Sequence, residues 1–464
     1  MPANTFNFVA VFTVALGGFT YGFASTMIGS VLGLPAFWAH FGLTIDGSTA
    51  VVGATSGVFY GGAAIGGGLS SFLSNWLGRK RTLILTCALG VLGGLLQAAA
   101  VDIGMFLAGR TITGMCCGLF TCVCPVYQSE ISPPKQRGRM VGAHGVVSVL
   151  GGSSATYIGL GCYFATNEQL QWRLILAFTI LAPLVLLLAM PLLPESPRWL
   201  IEKGRYDQAR EVLRRLHASP DDPLEILPKE EFIQIQRQIE LEKEQKLSLR
   251  QALKLPGIRK RLAIGVLLPF FCMTTGQLVI ANYQLGCGVC LILHTVMVAL
   301  YAASANRVGC GFAVLFLFLF IGFYGGCLDV TGYVYWTEIF PMHARSAGVG
   351  VSIVSFFCTA LLWTQIAPTA FATIGWKYFL VFLIAPVVGA PTVSFYMPET
   401  KGLSLEEIAK LFGEEVAFDL SDLTDEQKAA LEKEIATTED PVAKVHEMPM
   451  LLERVCIEGH AEDI

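Results

Sequence analysis

Residues 109–142 read GRTITGMCCGLFTCVCPVYQSEISPPKQRGRMVG, and this stretch decides the fold. Its first part is an apolar helix with small residues four apart. Gly114 and Gly118 form a small-xxx-small face that lets another helix approach closely. Its second part turns polar at Glu130, then carries Pro133, Pro134, Lys135, Arg137 and Arg139. An apolar span that ends in an acid and a basic turn is a membrane helix reaching the cytoplasmic face.

The composition around it agrees. The chain has 464 residues, 53% of them hydrophobic and 15% charged, against roughly 25% charged in a soluble protein. This is the composition of an integral, polytopic membrane protein and excludes a soluble enzyme. The 48 glycines suit close-packed membrane helices. The 13 cysteines lie almost all in apolar runs without metal spacing and read as small packing residues. From Glu399 onward there are 18 acidic and 6 basic residues, which leaves 18 acidic and 26 basic before it. The membrane part is basic and the tail acidic.

Gly114, Gly118, Tyr127, Glu130 and Arg137, at these spacings, resemble a signature of the sugar porter family of the major facilitator superfamily, in its fungal type. The resemblance implies an all-α polytopic fold of two six-helix halves. Working outward, the first half supplies six apolar runs: Val9–Leu32, Ala50–Phe72, Leu83–Val101, the opening stretch, Met140–Phe164 and Trp172–Leu193. Gly78-Arg79-Lys80-Arg81 between the second and third is a tight cationic turn at the cytoplasmic face. It resembles the family's Gly-Arg-Arg loop after the second helix, and either only sets topology or also serves gating. The sixth run ends in Pro194-Glu195-Ser-Pro-Arg198-Trp-Leu, another family hallmark. There is no basic, cleavable leader ahead of the first run.

Residues 201–261 form a polar linker. Ala209, Leu213 and Leu216 lie on one side of a first amphipathic helix; Phe232, Ile235, Ile239 and Leu247 repeat at helical spacing in a second, with Pro220, Pro223 and Pro228 between them. The domain reading is 1–200 as the N-terminal half, 201–261 as an intracellular linker, 262–400 as the C-terminal half and 401–464 as an acidic cytoplasmic tail, mostly disordered.

The second half repeats the first. Glu130 and Arg137 recur as Glu338 and Arg345, each offset by 208 residues, and Pro194-Glu195 recurs as Pro398-Glu399. A parallel duplication is the facilitator architecture. Yet only five runs follow: Leu262–Tyr283, Leu285–Ser304, Gly311–Tyr335, Gly348–Ala370 and Trp376–Met397. Residues 262–304 would make about 65 Å of straight helix against a bilayer core of about 30 Å, so they are two spans. Residues 262–283 resemble the seventh family helix and 285–304 the ninth. The eighth helix and the basic loop expected near residue 287 are missing, which gives about eleven spans in all.

The resemblance implies transport of a hexose or small oligosaccharide by alternating access, in the plasma membrane, by a monomer. Partners are the sugar and the lipid bilayer, with no nucleic acid, cofactor, metal or catalytic residue. Many sugar porters carry a proton-coupling Asp where Ala24 stands here, so the reading is facilitative. Arg110 either snorkels to the outer interface or serves as the family arginine that pairs with that acid. His144 either binds sugar, since an imidazole both donates and accepts, or sits at the interface without a role. Thr275, Gln277, Asn282 and Tyr283 can hydrogen-bond hydroxyls, and Tyr333 stands where the family often has an aromatic over the sugar. Asp329 is either a functional intramembrane acid or a carboxylate solvated near a helix end.

A gating network of Arg79, Arg110, Glu130, Arg137, Arg139, Glu195, Arg198, Asp329, Glu338, Arg345 and Glu399 is implied. It would pair Glu130 with Arg79, and Glu195 with Arg137 or Arg139. The alternative is a non-transporting or sensor-like splice product, discriminated by the missing span.

Overall fold

The computed structural model describes residues 5–43, 49–133, 136–217, 226–244, 256–275, 281–301, 306–323, 330–341, 344–382, 408 and 410–412. Among them every regular element is a helix. Helices α1 (Thr5–Val14) and α2 (Leu16–Leu32) form the first span, and α3 (Pro35–His40) follows. Then come α4 (Thr49–Leu77), α5 (Arg79–Ala98), α6 (Ile103–Ile131) and α7 (Arg137–Tyr163). The sixth span, Glu168–Leu192, is built from α8 (Glu168–Phe178) and α9 (Leu181–Ala189). All six runs of the first half are therefore helices long and apolar enough to cross a bilayer.

Local chemistry sets where they start. The Asp102 carboxylate accepts from the Met105 N–H at 3.0 Å and the Asn167 carbonyl from the Gln169 N–H at 2.9 Å, each capping a helix N-terminus. Gly78 has φ of 90°, which only glycine adopts cheaply, and this lets α5 follow α4 with Gly78 alone between them.

The small-residue face of α6 packs on α4. A Cβ on Gly114 would run into the Phe59 carbonyl, and one on Gly118 into the Ala63 carbonyl. Gly62 and Gly66 of α4 approach Thr111 and Met115 of α6 in the same way, so the two backbones touch reciprocally. On the other side, α2 and α7 meet through Gly22 against Ser148 and Gly151 against Phe19. The cysteines fit this close packing: Cys87, Cys116, Cys117, Cys122, Cys124, Cys162 and Cys290 are buried free thiols.

The polar linker supplies α10 (Pro197–Glu202), α11 (Tyr206–His217) and α12 (Ile226–Glu244). Ala209, Leu213, Phe232, Ile235 and Ile239 are buried in one core with Trp199. Pro228 does not separate two helices but stands in the first turn of α12, where proline is tolerated. Leu247 lies outside the described residues, as do Pro220 and Pro223.

The second half has α13 (Pro256–Thr275), α14 (Ala281–Tyr301), α15 (Arg307–Phe323), α16 (Val330–Glu338) and α17 (Arg345–Ile374). Helices α13 and α14 stand in the region read as the runs Leu262–Tyr283 and Leu285–Ser304; α14 already begins at Ala281, before the expected junction, and residues 276–280 lie outside the described residues. The run read as Gly311–Tyr335 is represented by α15 and α16. Arg345–Phe371 is the one further full-length span among the described residues, beside shorter apolar helices at Val289–Tyr301 and Val308–Phe320. Helix α17 packs on α4 and α16 on α7, which joins the halves. Tyr378–Phe382 begins the last run, and most of that run and of the acidic tail lie outside the described residues.

Candidate functional site

Two polar layers lie where the halves meet. The first lies at the end of the bundle that the sequence reads as cytoplasmic. Arg79 opens α5, Glu130 closes α6, and the turn at Gly78 brings them together. Arg79 Nε donates to Glu130 Oε2 and Nη2 to Oε1, both at 2.9 Å, and both side chains are buried. The Ser196 hydroxyl also bonds Glu130, and Arg345 of the second half lies within its electrostatic reach. Tyr127 donates to the Pro194 carbonyl at 2.7 Å, and Trp199 Nε1 to the Asn75 carbonyl at 3.2 Å, which seats the Pro194–Leu200 segment against the span ends.

Glu195 corrects the expected pairing. Its Oε1 accepts from the backbone N–H groups of Arg79, Lys80 and Ser196 at 2.9, 3.0 and 2.9 Å. A carboxylate at the N-terminus of α5 meets free amides and the positive end of the helix, so no arginine side chain is required. Burial raises the Glu195 carboxyl above its ordinary range, against the pull of these amides and of the Arg79 charge. Arg139 is exposed rather than paired with Glu195.

Arg137 and Arg198 instead act on Glu231 of the linker. Glu231 pairs with His217 at 2.8 Å. Neither His217 nor Glu231 was singled out from the sequence. Their only signal is position, at the end of one amphipathic helix and the start of the next. Glu338 and Arg345 are both buried at the inner end of the second half. Ser346 ties that end to the first half, donating to Asn75 Oδ1 at 3.1 Å and lying 3.4 Å from the Ser71 hydroxyl.

The second layer is deeper in the membrane. His144 of α7 is 0% exposed, with neither ring nitrogen partnered. This overturns the reading of an interfacial histidine. Its ring meets Tyr333 of α16 edge-on, 5.0 Å between centroids, and Tyr333 meets Trp336 at 5.5 Å. Gly18 of α2 passes against the His144 backbone, where a Cβ would lie 2.5 Å from its carbonyl oxygen. Tyr21 and Tyr60 of the first half approach Phe357 of α17 at 5.6 and 6.4 Å. Arg110 does not snorkel: it is 1% exposed and its Nη1 donates to the Ala24 carbonyl at 3.0 Å, while Phe59 covers one face.

Thr275 lies in α13 and Asn282 and Tyr283 in α14, by backbone only. Gln277, Asp329 and Glu399 lie outside the described residues.

The family profile described as "Sugar (and other) transporter" matches residues 10–286 and 284–412. The chain belongs to this family. The two matched pieces meet at 284–286, the junction at which the sequence places the missing helix.

The MFS-type transporter criB of Aspergillus cristatus is 29% identical over 483 aligned positions, covering 93% of this chain and 97% of that protein. The alignment is longer than the 464 residues here, so it opens gaps in this chain. The arabinose-proton symporter of Bacillus subtilis is 26% identical, covering 88% of this chain and 96% of that one. The proton:xylose symporter XylE of E. coli, bound to 6-bromo-6-deoxy-D-glucose, superposes with a TM-score of 0.73 at 18% identity, covering 88% of this chain and 99% of that one. This sugar porter has the major facilitator fold, as an integral membrane protein, and relatives named as transporters do not favour the sensor-like alternative.

Proposed function

We propose that this sugar porter carries its sugar by alternating access, and that the sugar enters where His144 of the first half and Tyr333 of the second meet, taking up the space opened when their rings, now in contact, move apart. The carrying observation is the buried imidazole with two unmade hydrogen bonds, faced by an aromatic ring from the opposite half. A buried polar group without a partner is costly, and a hydroxyl-rich ligand supplies both bonds. The aromatic face suits the C–H face of a sugar ring. When the halves rock, His144 and Tyr333 move on separate bodies, so a ligand between them couples binding to closure.

The cytoplasmic layer serves as the inner gate. Arg79, Glu130, Ser196 and Arg345 draw both halves to one buried carboxylate in the outward-open state. Ala24 at the position of the symporters' acid supports facilitated diffusion, and Asp329 is the fallback proton site. Sugar molecules and lipid are the partners of a monomer in the plasma membrane. The chain aligned to criB leaves gaps and the profile splits at 284–286, which supports a second half shorter by one helix.

The test is saturable uptake of labelled pentoses and hexoses in transporter-null cells. His144→Ala should raise KM at least tenfold and His144→Gln should recover most of it. Uptake by His144→Ala with unchanged KM, at equal surface expression, overturns the seat.

A further inference from the structure

Arg110 is a buried cation without an acid. It lies on α6, fully enclosed, with Ala24 of α2 and Phe59 and Tyr60 of α4 around it. Its Nη1 donates to the Ala24 carbonyl at 3.0 Å, and the Phe59 ring centre lies 4.3 Å from its guanidinium carbon. Its Nε is buried and has no partner. The ionisable side chains that act on it are Tyr60 and Cys117, both neutral at neutral pH. Among the described residues no carboxylate pairs with it.

The contrast with Arg79 is direct, since Arg79 is also buried but meets Glu130 through two hydrogen bonds. A guanidinium does not shed its proton at neutral pH, so burial leaves it with a full charge to neutralise. One carbonyl dipole and one ring face offset only part of that.

We propose that Arg110 and Tyr60 form a binding site for a small monovalent anion, a carboxylate or a halide. Arg110 Nε offers a donor with no partner in the protein, and Tyr60, within electrostatic reach of the guanidinium, brings a phenol to the same region. Phe59 and Ala24 give the site an apolar wall that strengthens a charged hydrogen bond. Tyr60 also reaches the second half, its ring 6.4 Å from that of Phe357, so the site borders the seam that opens when the halves part. The anion holds α2, α4 and α6 together at one point, since each supplies a wall.

The test uses the purified full-length protein in detergent, in a sulfate buffer at constant ionic strength. Sodium chloride and sodium acetate are titrated separately while the thermal unfolding midpoint is followed. Binding to the folded state gives a saturable rise of a few degrees with at least one of the two. A response to chloride alone identifies a free halide as the occupant; a response to acetate identifies a carboxylate, as an acidic solute would present. Arg110→Gln should lose the response. Should that variant not fold, Ala24→Asp supplies an internal carboxylate and should fold with the response abolished. No saturable shift in the native chain, or an undiminished one in Ala24→Asp, overturns the site.

Discussion

Arg79 and Glu130 meet through two parallel hydrogen bonds of 2.9 Å, although 51 residues separate them. Both side chains are buried, so each charge depends on the other. Removing one partner of a buried pair typically costs about 3–5 kcal/mol, because the remaining charge is left uncompensated. In the proposed gate that cost falls on the inward-closed state. Glu130→Gln should therefore bias the protein inward-open. A cysteine at Ser346, which now bonds Asn75 at the inner end, should label faster from the cytoplasmic side in that variant. Unchanged labelling would count against the gate.

Helix approach gives a second prediction. Gly118→Ala puts a methyl into the Ala63 carbonyl, where two backbones meet and neither can move alone. Overpacking of this kind costs about 1–3 kcal/mol. The yield of folded protein by size-exclusion fluorescence should drop sharply. Gly29→Ala is the control, since a Cβ there meets nothing within 4 Å, and it should fold normally.

The His217–Glu231 pair makes the linker sensitive to pH. Burial pushes the His217 imidazole down, but the Glu231 charge and hydrogen bond override it and hold it raised. A raised histidine contributes stability that is fully present below its unfolded pKa of about 6.5 and lost as pH rises through the folded value. Burial pushes Glu231 up, but His217 first, then Arg198 and Arg137, hold it lowered. Its contribution is present above the unfolded carboxylate pKa of about 4.3 and lost as pH falls through the folded value. The pair is therefore complete between about pH 4.3 and 6.5. Hydrogen-exchange protection of 206–217, corrected for intrinsic rates, should decline from pH 6 to pH 9, and His217→Gln should flatten that decline. An equal decline in the variant would show that the pair is not its cause.

The short second half carries a fourth prediction. A second half with one helix fewer, as proposed, has less to cover the substrate path and no basic loop to mirror Arg79. Inserting a helix and basic loop between Tyr283 and Leu285 should raise sugar uptake several-fold over the 464-residue chain. Equal uptake by both forms, at matched surface expression, would show that the shorter half is competent.

Much of this protein is legible along the chain. Apolar run lengths locate all six spans of the first half, because the bilayer demands a local property: about 20 consecutive apolar residues. The Gly114 and Gly118 spacing announces a close helix contact, and the duplicated Glu130/Arg137 and Glu338/Arg345 pairs announce two halves. Partner choice is different. Glu195 is held by three backbone amides, and Arg110 bonds the carbonyl of Ala24, 86 residues away, through one of its nitrogens. Main-chain donors and acceptors are the same at every residue and leave no mark in the sequence. His144 likewise reads as an interfacial or a ligand-binding residue until the packing of α2, α7 and α16 encloses it. Span positions follow from solvent transfer, which acts residue by residue; which polar groups meet inside the membrane follows only from how the helices cross.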